Sequence, residues 1–450
     1  MGKADQARLS AARAAGLDFV SLAAVDWQGG LRAKQIQFAA LASAMTRGIA
    51  LTSAIFATDS AERPIDTSRF QNPANGYRDA LLCGDEHAVY GDAFGSLPAS
   101  LLVLGSLVDE HRIYCPRAIA ARELAALGAL GFEAYGAFEY EFHVLAETPD
   151  SIATRTPSQL TRLPELARMY SYVDQSLQAP LFEALRQAAE RTGCPLESLH
   201  AEFSGLLEAA LAPASGIAIA DRAVLFKALC KTLARRHGLM AVFMARLADS
   251  FESAGGHLNL SLRLNGAPAF PDAGAEHGVS DSLRHFVGGL QRYTPALTLL
   301  HLPNLNSYKR FCGVSFAPRV NCWGLDNKTC AWRVVSTTPD LARIECRLPG
   351  ADVAPHFALA AVLAAGRRGL EERIEPGPPC VGDAATATPG GPAFPLQFDA
   401  AIAEWRAAPL AHAVFGSDFV EAYAESRAWQ GELLRRRVTD FDLQQFAEGV

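Results

Sequence analysis

Residues 138–145, FEYEFHVL, alternate acids with aromatics at a period of two. That pattern restricts the segment to a strand with chemically opposed faces: Phe138, Tyr140 and Phe142 on one, Glu139, Glu141 and His143 on the other. The pattern recurs. In HLNLSL, Leu258, Leu260 and Leu262 oppose His257, Asn259 and Ser261, and in RIECRL, Ile344, Cys346 and Leu348 oppose Arg343, Glu345 and Arg347. TCAWRVV sets Trp332 and Val334 against Thr329, Ala331 and Arg333, and LHAEF puts His200 and Glu202 on a common face. A sheet with one solvated side would account for any one of these strands. Acids two apart on a strand lie roughly 7 Å from each other and repel by about 2 kcal/mol at an effective dielectric of about 20. A solvated face relieves that repulsion with interspersed Lys and Thr, whereas Glu139 and Glu141 are separated by an aromatic and have no lysine nearby. The flanking loops, SAGG before His257 and LNSYKRFCG, are also unusual in composition. Several carboxylates, an imidazole and arginines in one pocket suit divalent cations plus phosphate.

The 450 residues allow two or three domains, or one large catalytic core with a smaller partner. The first hundred read as strands: two around the turn at Gln28, Gly29 and Gly30, then more within ALLCGDEHAVYGDAFGSLPASLLVLGSLVD. At Pro116 the spacing becomes helical, with Gly131 in place for a stop, so the domain boundary is set near 109–116. Helices are expected at about 178–192, 219–237, 280–292 and 355–373 and through the last fifty residues, alternating earlier with short strands. Residues 374–395, rich in Pro and Gly, read as an exposed loop, and ELLRRRV as a solvated helix face.

The 41 basic and 48 acidic residues leave a net charge of −7, which argues against a nucleic-acid-binding surface. No run reaches the roughly 18 apolar residues of a membrane span, and the amino-terminal stretch lacks a signal peptide's apolar segment. Nine cysteines without a C-x-x-C pair read as buried thiols of a reducing compartment, not as a disulfide framework or a zinc site. A cytoplasmic enzyme is expected.

Five stretches together, GAFEYEF (136–142), GGHLNLSL (255–262), PNLNSYKRF (303–311), DNKTCAWRV (326–334) and RIECRLPGADVAPHFALAAVLAAG (343–366), resemble the glutamine synthetase superfamily in order and spacing. The resemblance implies an α+β fold: a small amino-terminal β-grasp domain (1–112) and a catalytic domain (113–450) whose curved antiparallel sheet forms a funnel backed by helices. It implies hexameric rings, often stacked into a dodecamer, with each site completed by a neighbour's amino-terminal domain. It implies ATP and two to three Mg²⁺ or Mn²⁺ per site. Glu139, His257 and Glu345 would hold one metal, and Glu141, Glu202 and Glu208 the other. Arg310 and Arg347 would grip the carboxylates of glutamate, Lys328 and Arg333 would neutralise the transferring phosphoryl group, and Ser261 would lie near the nucleotide. The implied reaction phosphorylates the γ-carboxylate of glutamate, and an amine then displaces phosphate.

Departures from the family's pattern point to the amine. The loop after NSYKR reads RFCGVSFAP, so Phe316 stands where ammonia-using members carry a glutamate. An aromatic wall there favours an amine that bears carbon. The amino-terminal Asp-Gly-Ser-Ser segment is replaced by IFATDS, with Ala57 and Asp59. The loop 202–208 is shortened to EFSGLLE, Glu252–Ser253 replaces Asn-Gly at the amino-acid pocket, Asn259 replaces a histidine, and Lys328 replaces an arginine. The expected activity is therefore γ-glutamylamide synthesis. The alternatives are an ammonia-dependent glutamine synthetase and a non-catalytic oligomeric relative. His143, on the polar side of its strand, reads as a rim residue.

Overall fold

The computed structural model describes residues 3–65, 69, 71–91, 100–163, 168–312, 316–336, 338, 341–386 and 391–449. Five strands near the amino terminus, β1 (Phe19–Val25), β2 (Leu31–Gln37), β3 (Ile49–Thr52), β4 (Asp79–Gly91) and β5 (Leu101–Leu107), form a sheet of order β2-β1-β5-β4-β3. β1 runs parallel to β5, and the other pairings are antiparallel. Asp26 makes the β1–β2 turn: its Oδ1 accepts the N–H groups of Gln28 and Gly30 at 3.0 and 2.7 Å, and its Oδ2 accepts Arg32 Nε at 2.8 Å. Part of the strand-like stretch after β4, residues 92–99, lies outside the described residues.

A ten-stranded sheet holds the rest of the β structure: β6 (Phe132–Leu145), β7 (Leu196–Ala201), β8 (Leu206–Leu211), β9 (Ala214–Ser215), β10 (Met240–Val242), β11 (Gly256–Leu264), β12 (Ala267–Pro268), β13 (Trp323–Leu325), β14 (Trp332–Val335) and β15 (Arg343–Cys346). Its main order is β13-β14-β15-β11-β6-β8-β7, antiparallel except for β13 beside β14. The long strand β6 is the hub, pairing with β11, β10, β8 and β9 in turn along its length. This is the α+β architecture with a curved antiparallel sheet backed by helices.

The apolar face of this sheet is buried as the alternation requires: Phe138, Tyr140, Phe142, Leu258, Leu260, Trp332 and Ile344 are each 2% exposed or less. Tyr140 and Phe142 pack on Phe226 of the helix Ala218–Arg236, with ring centroids 6.5 and 6.0 Å apart. The two sheets are tied by polar as well as apolar contacts. Arg117 joins Asp85 of β4 at 2.7 Å to the fully buried Asp221 at 3.0 Å, and Asp221 also meets His356 at 2.8 Å. Trp27 stacks on Phe56 and meets Phe419 and Tyr423 of the helix Ser417–Arg435 edge-on.

One expectation needs correction. The helix expected at 280–292 runs Asp281–His301 through Pro295. Proline lacks the N–H that would reach the Gln291 carbonyl, and the Asn321 side chain supplies a substitute donor at 2.6 Å. The Pro/Gly-rich segment after residue 373 is, over its described residues, the mostly exposed or half-buried loop expected, and hydrogen bonds pin it to the sheet. Trp323 Nε1 donates to the Gly377 carbonyl, Cys380 N to the Trp323 carbonyl and Asn327 Nδ2 to the Gly382 carbonyl, each at 2.7 Å. Ala384 and Phe394 are buried, and residues 387–390 lie outside the described residues.

Candidate active site

Strand register converts the sequence alternation into one continuous polar row. Arg333 pairs with Glu345, Glu345 with Asn259, His257 with Glu139, Glu141 with Glu208, and Glu208 with His200. Opposed residues in an antiparallel pair share a face, as do residues two apart on one strand. The row therefore crosses β14, β15, β11, β6, β8 and β7 on the face opposite the aromatic core.

Two groups along it have the make-up of cation sites. Ligand atoms of Glu139, His257 and Glu345 lie within 4.8 Å of one another, as do those of His200, Glu202 and Glu208. In the first, His257 Nδ1 stands 3.3 Å from Glu139 Oε1 and 3.4 Å from Glu345 Oε1. Glu345 is 1% exposed. Burial alone would raise its carboxyl, but His257, Arg347 and Arg333 outweigh that and hold it at about 2. Arg333 Nη1 reaches Glu345 Oε2 at 2.8 Å, and Arg347 Nη1 reaches Oε1 at 2.5 Å.

The second group contains His200, whose strand face was expected but which had no assigned role. His200 Nε2 lies 2.9 Å from Glu202 Oε1 and 3.6 Å from Glu208 Oε1, and its ring stacks on Tyr170 at 4.5 Å. The signal was the H-A-E spacing in LHAEF. Glu141, expected in this group, turns instead to the loop before β11, where its Oε2 accepts the Gly255 N–H at 2.5 Å. Burial, then the charges of Glu139, Glu141 and Glu202, push the Glu208 carboxyl up to about 8. Four carboxylates thus crowd one region with too little positive charge, and carboxylate and imidazole donors suit a divalent cation.

The SAGG loop has a steric basis. A Cβ on Gly255 would meet His257 Nε2 at 2.4 Å, so only glycine lets this backbone pass the imidazole.

The remaining expected residues are placed as follows. Arg310 is 2% exposed and donates through Nη1 to the Leu348 carbonyl at 2.8 Å. Arg347 is committed to Glu345, and Arg333 also bonds Asp326. Lys328 is exposed, and its charge acts on Glu208. Ser261 Oγ donates to the Tyr135 carbonyl at 3.2 Å, and Ser253 is half-buried in a bridge to Arg246. Phe316 is 68% exposed in the single chain, so within it the aromatic forms no packed wall. Residues 313–315 of its loop lie outside the described residues. Asp59 is 3% exposed, and its Oδ1 accepts the N–H groups of Ala61 and Arg63, so it braces its own turn.

His143 is not a rim residue. It is fully buried, Nε2 lies 3.0 Å from the Glu252 carbonyl, and its ring meets Phe251 edge-on. Burial lowers it to about 4, so it is neutral at physiological pH.

Residues 113–446 match the family model of the glutamine synthetase catalytic domain. The chain is 32% identical over 438 residues to the γ-glutamylethanolamide synthetase of Streptomyces coelicolor, covering 96% of this chain and 93% of that protein. It is 28% identical to the glutamate–isopropylamine ligase of a Pseudomonas species, covering 96% and 95%. Among solved structures, ligand-free GmaS superposes with a TM-score of 0.82 at 23% identity, covering 98% of this chain and 99% of that one, a likeness in fold.

Proposed function

The chain belongs to the glutamine synthetase family, and on that premise we propose that it is a carbon–nitrogen ligase that uses ATP to join glutamate to a small organic amine. The observation that carries the reading is the polar row itself, with two carboxylate–imidazole groups on one sheet face beside Arg333 and Lys328. In the reaction, the γ-phosphoryl group of ATP passes to the γ-carboxylate of glutamate. The amine nitrogen then attacks the acyl carbon, phosphate leaves, and the amine's proton is lost.

Glu139, His257 and Glu345 would hold one divalent cation, and His200, Glu202 and Glu208 another, with Glu141 beside the second. Magnesium or manganese bound there would neutralise phosphate oxygens. Glu345 fixes the directions of Arg333 and Arg347 through its two oxygens, which sets a cationic wall in place before substrate arrives. Arg333 and the exposed Lys328 are the cations we assign to the phosphoryl group, with Ser261 near the nucleotide. Arg310, Arg347 and Ser253 are assigned to glutamate.

The choice of an organic amine over ammonia rests on Phe316 and on similarity to enzymes named for isopropylamine and ethanolamine along almost their full length. We assign residues 1–112 and 113–450 to an amino-terminal and a catalytic domain. We further assign a hexameric ring or dodecamer in which a neighbour's amino-terminal domain covers Phe316. Tyr172, Val173 and Leu177, exposed by 85, 61 and 63%, support a contact surface of this kind. No helix among the described residues is long and apolar enough to cross a membrane, and we assign the enzyme to the cytoplasm.

The test is amine-dependent phosphate release with ATP, glutamate and Mg²⁺ or Mn²⁺, comparing ammonium with methylamine, isopropylamine, ethanolamine, putrescine and aniline. Faster turnover with one of the organic amines than with ammonium supports the reading. Preference for ammonium overturns the amine assignment, and absence of turnover with every amine overturns the glutamate assignment with it.

A further inference from the structure

Away from the polar row, three cysteines that are far apart in sequence meet. Cys322 precedes β13, Cys330 precedes β14, and Cys380 comes from the Pro/Gly-rich segment that crosses them. Cys322 Sγ and Cys330 Sγ are 3.6 Å apart, and all three sulfurs lie within 4.8 Å of one another. Cys322 and Cys330 are 2% and 0% exposed, whereas Cys380 is only half-buried. The apolar cluster here is separate from the main core and consists of these thiols, Ala384 and Val320.

We infer that Cys322, Cys330 and Cys380 form a thiolate site for a zinc-type divalent cation, with water as the fourth ligand. Tetrahedral zinc with Zn–S bonds of about 2.3 Å requires sulfurs about 3.8 Å apart, close to the Cys322–Cys330 separation. A disulfide would use two sulfurs and leave the third without a purpose, whereas a cation uses all three. An N–H group already approaches one of the sulfurs: Asn327 Nδ2 lies 3.9 Å from Cys380 Sγ. A hydrogen bond of this kind supports a thiolate ligand from behind. The half-buried Cys380 gives an entry path. Binding converts three thiols and one M²⁺ into a tris-thiolate complex of net charge −1 and releases three protons.

The site would fasten two segments that matter for the row. Cys322 and Cys330 bracket Lys328, and Arg333 follows three residues after Cys330. A cation held there ties this segment to 374–384 beyond the existing hydrogen bonds between Asn327 and Gly382 and between Thr329 and Ala384.

The experiment titrates reduced, chelator-treated full-length protein with Co²⁺ and records its absorption spectrum. Carboxylates and imidazoles give no sulfur-to-cobalt charge-transfer band, so the polar row is silent in this readout and its own failure would be visible separately. One equivalent of Co²⁺ per chain should produce the thiolate band with tetrahedral d–d absorption, and one equivalent of Zn²⁺ should erase it. Cys380→Ser, at a half-exposed position, should keep its circular dichroism and lose most of the band's intensity. Absence of the band in protein with all nine thiols reduced overturns the proposal. So does an undiminished band in Cys380→Ser, and so does isolation of the protein with a Cys322–Cys330 disulfide.

Discussion

Glu141 and Glu208 stand directly opposite each other in the β6–β8 ladder, two carboxylates at a paired position with Glu139 and Glu202 close by. Like charges so placed are destabilising, and the protein answers by holding Glu208 protonated up to about pH 8. A divalent cation offers a better answer. Mg²⁺ or Mn²⁺ should therefore raise the melting temperature, by several degrees at saturation. Because the cation must displace the Glu208 proton, the gain should be larger at pH 8 than at pH 6. Glu208→Gln should melt at or above wild type without metal and lose most of the metal-induced shift. A mutant that keeps the full shift would exclude Glu208 as a ligand. Differential scanning fluorimetry across a metal titration reads all of this.

Glu345 is a support for its neighbours as much as a ligand candidate. Its two oxygens hold Arg333 and Arg347, and His257 is 3.4 Å away. Glu345→Gln removes the charge that balances two guanidinium groups in a nearly dry environment. Breaking such a cluster costs about 3–5 kcal/mol, and releasing the phosphoryl-side arginine should lower kcat by at least about 100-fold. Conservative Glu345→Asp should recover part of the stability but little of the rate, since its shorter arm cannot reach both arginines. Thermal melts alongside kcat separate the two effects.

Gly255 tests the geometry with a single methyl group. Gly255→Ala would place Cβ 2.4 Å from His257 Nε2, while the N–H that Glu141 accepts is retained. The imidazole must rotate out of its position between Glu139 and Glu345. Metal affinity should fall about 10- to 100-fold with a melting temperature within a few degrees of wild type. Unchanged metal affinity, by calorimetric titration, would place His257 outside the cation site.

The faces of the strands were legible from sequence because a period of two is a local property. Glu139 on the polar face and Trp332 turned into the core follow from alternation alone, whereas Glu139 beside His257 depends on the β6–β11 register and was implied only by the family resemblance. What was not legible depends on partners distant in the chain. His200 joins Glu208 only through the β7–β8 register, which shifts by a bulge between Leu196 and Ser198. Glu141 leaves its expected group for a backbone N–H 114 residues away. His143 is buried by Phe251 and the Glu252 carbonyl, which no alternation within residues 138–145 could foretell. Pro295 reads as a helix stop unless Asn321 is known to satisfy Gln291. The cysteines showed no motif because their proximity belongs to the fold and not to spacing.

Acid should destabilise the protein through buried imidazoles. His143 has its ordinary 6.5 lowered to about 4 and His301 to about 3, both by burial. Neither folded-state imidazole takes a proton where its unfolded counterpart does, so their contribution is unaffected above pH 6.5 and falls as pH drops toward 4, partly offset by the stability that protonated Glu208 gains as pH falls below about 8. The slope is up to about 1.4 kcal/mol per pH unit for each site. Glu345, held at about 2, adds a loss in the same direction below its ordinary 4.5. Both ring nitrogens of His301 lack a partner among the described residues. His301→Leu should therefore stabilise the protein by about 1–2 kcal/mol at pH 7 and flatten the acid slope between pH 6.5 and 4. Urea melts at pH 7, 6 and 5 measure both. A steeper acid slope in the variant would show that the imidazole is not held neutral.

Phe316 separates the amine assignment from everything else. Its side chain is 68% exposed in one chain, so it contributes little to that chain's own stability, and Phe316→Glu should melt within about 1 kcal/mol of wild type. A carboxylate there attracts ammonium and charges the surface against which an alkyl group would rest. The kcat/KM ratio of organic amine to ammonium should fall at least about 10-fold, the loss of one apolar contact of roughly 1–3 kcal/mol. If the neighbouring subunit covers Phe316, dilution below the assembly threshold should depress the organic-amine rate in wild type more than the ammonium rate. A folded Phe316→Glu with an unaltered amine ratio would mean that another residue reads the amine.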